Sequence, residues 1–347
     1  MKELVNILDN KYEDESFSGV VVIHQDNKEI FSMAGGYANR SFKVPNQVET
    51  RFRIASVGKM FTAVAVLQLI EKGLINLETK VRDYLQLEDT KISKDVTIRH
   101  LLNHSSGIAD YCEEADGDEA WELLWKERPI YHVRVLKDYL ELFKDKSANF
   151  PPGEKFKYCN AGYVLLGLVI EKAAQMDYFE YVRKNIFEVL QMKDTDFIHL
   201  DHVVENVAEG YELMDHGWER NIYTATPGPG PDGGATSTAK DLLVFIKALQ
   251  KGQLINEELT NMMLSPQIID EEGDGFKGYK WRYGFANYIL LDEEDRVVRG
   301  GHTGEEYGVS CRIYYYPEKN IDVAIVGNIG FCAGKLGWEI HDCIMNK

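Results

Sequence analysis

The sequence lacks any apolar run long enough to cross a bilayer. Its most apolar stretch, Met60 to Ile70, is 11 residues long and includes Thr62 and Gln68, where a span needs about 20. Positive charge is also short: 39 Lys+Arg stand against 56 Asp+Glu, a formal net charge of −17 over 347 residues. Nucleic acid and anionic lipid both ask for clustered Lys and Arg, so neither partner is expected. The charge suits solubility and could draw in a cationic substrate. The five cysteines (112, 159, 311, 332, 343) include no CxxC pair, which fits neither a zinc ribbon nor a disulfide framework and agrees with free thiols in a reducing compartment. The start, Met1-Lys2-Glu3-Leu4, turns polar by Asp9-Asn10-Lys11 without the apolar core of a signal peptide. The expectation is therefore a cytoplasmic protein, with a leader cleaved ahead of Met1 left open.

Several motifs are missing or fail on inspection. No GxSxG elbow occurs, against an α/β-hydrolase. Gly228-Pro229-Gly230-Pro231-Asp232-Gly233 matches GxGxxG in form, but it follows no strand and its prolines remove N–H donors. It reads as a tight, constrained loop. His100/His104 and His199/His202 have helical spacing but no convincing third ligand, so neither metal nor organic cofactor is expected.

What is present describes a globular chain, 44% hydrophobic and 27% charged. Ser18 to His24 is a β-branched run, Gln25 to Asn27 a turn, and Glu29 to Met33 a returning strand. Val57 to Lys72 reads as a buried helix closed by Gly73. Helical patterns recur at Ala161 to Ala174 and Tyr178 to Leu190, and Thr238 with Asp241 opens another through Leu249. Gly284 to Leu291, Tyr307 to Tyr316 and Ile321 to Asn328 return to strands, and Lys335 to Met345 to helix. Asp116-Gly117-Asp118 and Asp270 to Asp274 read as solvated acidic loops. Strands at both ends with helices between imply an α+β fold: one antiparallel sheet flanked by helices, with an inserted helical part. The expected organisation is a single unit over 1–347, with 1–75 and 237–347 forming the sheet-containing part and 76–236 the helical part.

Three segments carry chemistry. In Phe52-Arg53-Ile54-Ala55-Ser56-Val57-Gly58-Lys59-Met60-Phe61, a serine opens an apolar helix and a lysine follows three positions later, on the same face. A serine hydroxyl needs a base to become a nucleophile, and a buried lysine can be one. The helix N-terminus offers N–H groups to an oxyanion. In Tyr158-Cys159-Asn160, residues two apart in an extended stretch share a side, so Tyr158 can shuttle a proton and Asn160 can hold Lys59 or a substrate carbonyl. In Gly301-His302-Thr303-Gly304-Glu305-Glu306, glycines let a substrate backbone approach an edge strand, and the Glu305 N–H is a candidate second oxyanion donor beside that of Ser56. Taken singly, these are an N-cap serine, a core tyrosine and a glycine-rich turn.

Together, the order Ser-x-x-Lys, Tyr-x-Asn, His-Thr-Gly resembles the serine β-lactamase and penicillin-binding protein family, especially the branch of class C β-lactamases, D-alanyl-D-alanine carboxypeptidases, esterases and D-aminopeptidases. Leu101-Leu102-Asn103-His104-Ser105-Ser106-Gly107-Ile108, Gly36-Tyr37-Ala38-Asn39 and Tyr283-Gly284-Phe285 resemble further family stretches. The likeness runs from about residue 18 to residue 330 and implies a β-lactamase/transpeptidase-like fold. It also implies a catalytic Ser56, Lys59 and Tyr158, an oxyanion hole from the N–H groups of Ser56 and Glu305, and substrate binding by Asn160, His302, Thr303 and Gly304. The implied partner is a small ester, peptide or β-lactam-like substrate.

Two departures bear on substrate. Tyr-x-Asn stands where class A β-lactamases use Ser-Asp-Asn with a separate glutamate, and His302 stands where many β-lactamases have lysine. A mostly neutral histidine grips a carboxylate weakly at neutral pH. Glu305 and Glu306, if they face the cleft, repel a carboxylate and favour an amine. These features argue against efficient β-lactam hydrolysis and for an esterase or a peptidase or amidase acting on D-amino acids. A penicillin-acylated, slowly deacylating sensor or a weak β-lactamase is the alternative. Trp121, Trp125, Trp218 and Tyr223, in loops 112–130 and 210–232, are candidates either for the pocket wall or for the core.

Overall fold

The computed structural model describes residues 2–113, 117–270 and 276–346. Both ends of the chain feed one sheet. Strands β1 (Gly19–Gln25) and β2 (Lys28–Gly35) form the first hairpin, and its turn residues Asp26 and Asn27 have φ of 51° and 62°, as a tight two-residue connection requires. The remaining strands are β3 (Ile268–Ile269), β4 (Lys280–Tyr283), β5 (Tyr288–Leu291), β6 (Val297–Glu306), β7 (Val309–Tyr316) and β8 (Ile321–Gly327). They assemble in the order β3-β4-β5-β6-β7-β8-β1-β2, antiparallel throughout. The last strand thus lies beside the first, Gly327 opposite Gly19.

Alternation along the strands divides the core. Val21, Ile23, Val323 and Ile325 face helices α1 (Lys2–Glu13) and α5 (Cys332–Met345), meeting Leu4, Leu8, Leu336 and Ile340. Val20, Val22, Ala324 and Val326 face the opposite way, into a larger core. That core takes in helices α2 (Lys59–Glu71), α3 (Asn160–Ala174) and α4 (Ala239–Gln250). Helices α2 and α3 are apolar on nearly every side, as buried helices must be. Thr238 caps α4 by accepting from the N–H of Asp241 at 3.1 Å.

The structure corrects several expected elements. Gly284 to Leu291 is not one strand: the Gly284 N–H bonds the Asn287 carbonyl at 2.8 Å, and Ala286 has a φ of 50°, making a turn between β4 and β5. Helix α1, in a segment for which no element was expected, precedes the first strand. From Gly117 onward the first acidic loop is a helix, Gly117–Glu127, while Asp116 and residues 271–274 lie outside the described residues. No described helix is long and apolar enough to cross a membrane.

Candidate active site

Ser56 sits in a short 3-10 turn, Ala55–Gly58, that runs directly into α2. Ala55 holds a φ of 43°, a conformation that costs a non-glycine residue about 1–3 kcal/mol and persists only when its surroundings enforce it. Strand β6 supplies that enforcement. A Cβ at Gly304 would run into the carbonyl oxygen of Ile54, so only glycine lets β6 pass this close to the turn.

Lys59 is fully buried, and its Nζ lies 3.0 Å from Ser56 Oγ, 2.6 Å from Asn160 Oδ1 and 2.5 Å from the Asp232 carbonyl. An ammonium can donate to all three oxygens. A neutral amine can donate to Asn160 and Asp232 while accepting from the Ser56 hydroxyl. One geometry therefore serves both protonation states, and a proton can pass between Ser56 and Lys59 without rearrangement. The centre of the half-buried Tyr158 ring lies 4.9 Å from Lys59 Nζ and 4.2 Å from that of the His104 ring, the two rings tilted by 35°.

The segment bearing Tyr158 and Asn160 is held from residues 104–110. The Lys157 N–H donates to the His104 carbonyl at 2.9 Å, and the Cys159 N–H to His104 Nδ1 at 3.1 Å. Asp110 accepts from the N–H groups of Asn160 at 2.6 Å and Ala161 at 2.9 Å, at the start of α3. Burial pushes the Asp110 carboxyl up to about 7 against these bonds, and the nearby Asp232 charge adds to the rise.

His302 departs from its expected role. It is fully buried, with Nδ1 2.6 Å from the Thr303 carbonyl and Nε2 2.9 Å from Tyr283 Oη. The carbonyl requires a proton on Nδ1, so Nε2 accepts from Tyr283. Tyr283 Oη in turn lies 3.2 Å from His104 Nε2, whose other nitrogen is already an acceptor. Donor and acceptor needs thus assign both tautomers. Burial, with the Lys59 charge second, lowers His302 to about 3. No ring nitrogen remains for substrate, so direct binding by His302 is corrected to a supporting place behind the cleft wall.

Strand β6 pairs with β7 as far as Glu306, but with β5 only from Val297 to Gly301. Residues 302–306 therefore leave one edge unpaired among the described strands. The Gly301 N–H points to that side, toward Asn287 Oδ1 at 2.8 Å. Strand alternation aims the N–H groups of Thr303 and Glu305 the same way.

The glutamates are already engaged. The Glu305 carboxylate lies on the α5 face, bound to Arg312, to Ser310 Oγ at 3.0 Å and to the Phe331 N–H at 3.1 Å. Glu306 pairs with Arg53 Nη2 at 3.1 Å. The expectation that both greet an amine is corrected.

A cavity of about 440 Å³ opens over Ser56, with Asn160, Asp232, Glu305, Glu306 and Trp121 in its walls. Of the other expected aromatic walls, Trp218 instead covers Arg40 at 3.5 Å, and Tyr223 is exposed. Sequence reasoning did not single out Arg53, Asp110 or Asp232. Asp110 lies two residues beyond the Leu101–Ile108 stretch, and Asp232 lies in the failed GxGxxG loop, which was legible only as a turn.

A buried lysine against a helix-start serine, below a cleft edged by an open strand, defines a protein of the serine-hydrolase type on an α+β scaffold. Residues 4–331 match the family model described as Beta-lactamase, and the chain belongs to that family. It is similar to the crystal structure of a penicillin binding protein from Bacillus halodurans, with 35% identity, a TM-score of 0.89, and coverage of 97% of this chain and 99% of that one. It is 29% identical to Penicillin-binding protein 4* of Bacillus subtilis (strain 168), over 91% of this chain and 69% of that protein. The D-amino acid amidase of Ochrobactrum anthropi SV3, complexed with L-phenylalanine, shares the fold at 22% identity and a TM-score of 0.74, over 95% of this chain and 91% of that one.

Proposed function

We propose that the protein is a hydrolase that forms an acyl-enzyme on Ser56, acting on esters or on amides and peptides of D-amino acids. The observation that carries this is the contact between the fully buried Lys59 Nζ and Ser56 Oγ at 3.0 Å, closed by Asn160 and the Asp232 carbonyl. Ser56 Oγ attacks the carbonyl carbon, and its proton passes to Lys59 or Tyr158. The N–H groups of Ser56 and Glu305 hold the oxyanion. The leaving group departs with a proton from Tyr158 or Lys59, and water then cleaves the ester to Ser56. Thr303 and Gly304 serve through the backbone: the first lines the open edge, and the second lets β6 approach Ser56.

The cleft favours substrates without a carboxylate beside the scissile bond. His302 is neutral and enclosed, and Arg53 is committed to Glu306. This supports the ester and amide reading over efficient β-lactam turnover.

A penicillin-acylated sensor is the second reading, favoured by the likeness to penicillin-binding proteins. Intact-mass spectra over time with a penicillin and with a p-nitrophenyl ester separate the two. Rapid ester turnover with little penicillin adduct supports the hydrolase. A persistent penicillin adduct with negligible ester turnover supports the sensor.

A further inference from the structure

Glu305 and Glu306 face arginines and Glu113 faces Lys157 at 2.8 Å, yet Asp232 in the same cleft is not ion-paired among the described residues. Asp232 is 8% exposed and lines the cavity. Its Oδ2 accepts from Tyr111 Oη at 2.6 Å. Among the described residues, Oδ1 receives no hydrogen bond and no basic side chain forms an ion pair with it. Oδ1 packs over Gly230, itself a cavity residue, where a Cβ would collide with it.

The loop that carries Asp232 is rigidly placed. Gly230 and Gly233 exchange N–H to carbonyl bonds at 2.9 and 3.2 Å. The Pro231 carbonyl accepts from Thr62 Oγ1 at 2.5 Å, and the Asp232 carbonyl accepts from Lys59. Two consecutive carbonyls thus pin the loop to α2, and the Asp232 backbone meets the same Lys59 that touches Ser56. Oδ1 is not sealed in the interior, so a donor in the cavity can reach it, and a cationic donor forms the stronger, charge-assisted bond.

Its charge is felt by its neighbours. The Asp110 carboxyl and the Tyr111 phenol are pushed up chiefly by burial and further by Asp232. Glu306 is also raised by burial, with Arg53 opposing and Asp232 adding. Lys59 and Arg53 are the cations on this side, and both already have oxygen partners.

We propose that Asp232 is the subsite for a protonated amine, so that the substrate is an ester or amide carrying an ammonium group close to the scissile carbonyl. This rests on the Ser56 hydrolase reading and specifies its substrate. The ammonium donates to Asp232 Oδ1, which the fold leaves open for it. No new covalent step is involved.

The test compares aminoacyl p-nitroanilides, in both enantiomers, with their N-acetylated counterparts in the full chain. Wild type should prefer the free amine at least tenfold in kcat/KM, and Asp232→Asn should bring that ratio below twofold, whatever its absolute rate. Glu306→Gln should keep the preference. Should Asp232→Asn fail to fold, inhibition of wild type serves instead: benzylamine should compete at least tenfold more tightly than benzyl alcohol. Equal rates on the paired substrates, a preference that survives Asp232→Asn, a preference lost in Glu306→Gln, or equal inhibition by the two benzyl compounds would each overturn the assignment. Failure of the hydrolase reading looks different: hydrolysis would persist in Ser56→Ala.

Discussion

Tyr283 Oη lies 2.9 Å from His302 Nε2 and donates to it, tying strand β4 to the strand that passes Ser56. The same hydroxyl meets His104, whose ring packs at a tilt against Tyr158. One phenol therefore links both walls of the cleft.

Tyr283→Phe should orphan buried nitrogens on His104 and His302. Leaving a buried polar group unmet costs about 1–3 kcal/mol. Urea denaturation should show a loss in that range. kcat on a p-nitrophenyl ester should fall roughly tenfold or more, since small displacements of catalytic groups are costly. Unchanged stability and unchanged kcat would remove the link from the catalytic architecture.

His302 gives stability a pH dependence of known sign. Its folded value, about 3, lies below its ordinary value of 6.5. The unfolded chain takes up a proton as pH falls below 6.5, while the folded chain resists until about 3. Its contribution is complete above 6.5 and is lost as pH falls through that window. Asp110 acts oppositely: raised from 3.8 to about 7, its contribution is complete below 3.8 and lost as pH rises through 7. Between pH 4 and 6.5 the two partly cancel. Unfolding free energies across that range should rise more steeply with pH in Asp110→Asn than in wild type, and less steeply in His302→Gln. Identical slopes in all three proteins would contradict the assignment.

Gly304→Ala places a methyl against the Ile54 carbonyl. Either β6 or the Ser56 turn must shift. A displacement of about 1 Å can cost on the order of 100-fold in rate, so kcat should fall by about that factor. Circular dichroism should show the fold retained. Full activity would show that the close approach is not needed.

Much of this design was legible in the sequence. Ser56, Lys59, Tyr158 and Asn160 declare themselves because the helix period and the strand period each bring two reactive groups to one side, and the structure draws Lys59 to both Ser56 and Asn160. The end-to-end sheet was also legible, because β-branched runs sit at both termini. The side-chain directions of His302, Glu305 and Glu306 were not. Which partner each side chain meets depends on tertiary packing: Glu306 pairs with Arg53, 253 positions away in the chain. Asp232 was hidden for a related reason: a turn motif states that the chain bends, but not which wall its side chain joins.

The most direct test of the central claim is ester hydrolysis by Ser56→Ala, with circular dichroism to confirm the fold. A p-nitrophenyl acyl ester and intact-mass detection of a fluorophosphonate adduct supply the readouts. Loss of the nucleophile should lower kcat by several orders of magnitude and abolish the single adduct seen on wild type. A variant that hydrolyses the ester at the wild-type rate, or still takes up one fluorophosphonate, would contradict the claim that Ser56 carries the acyl group.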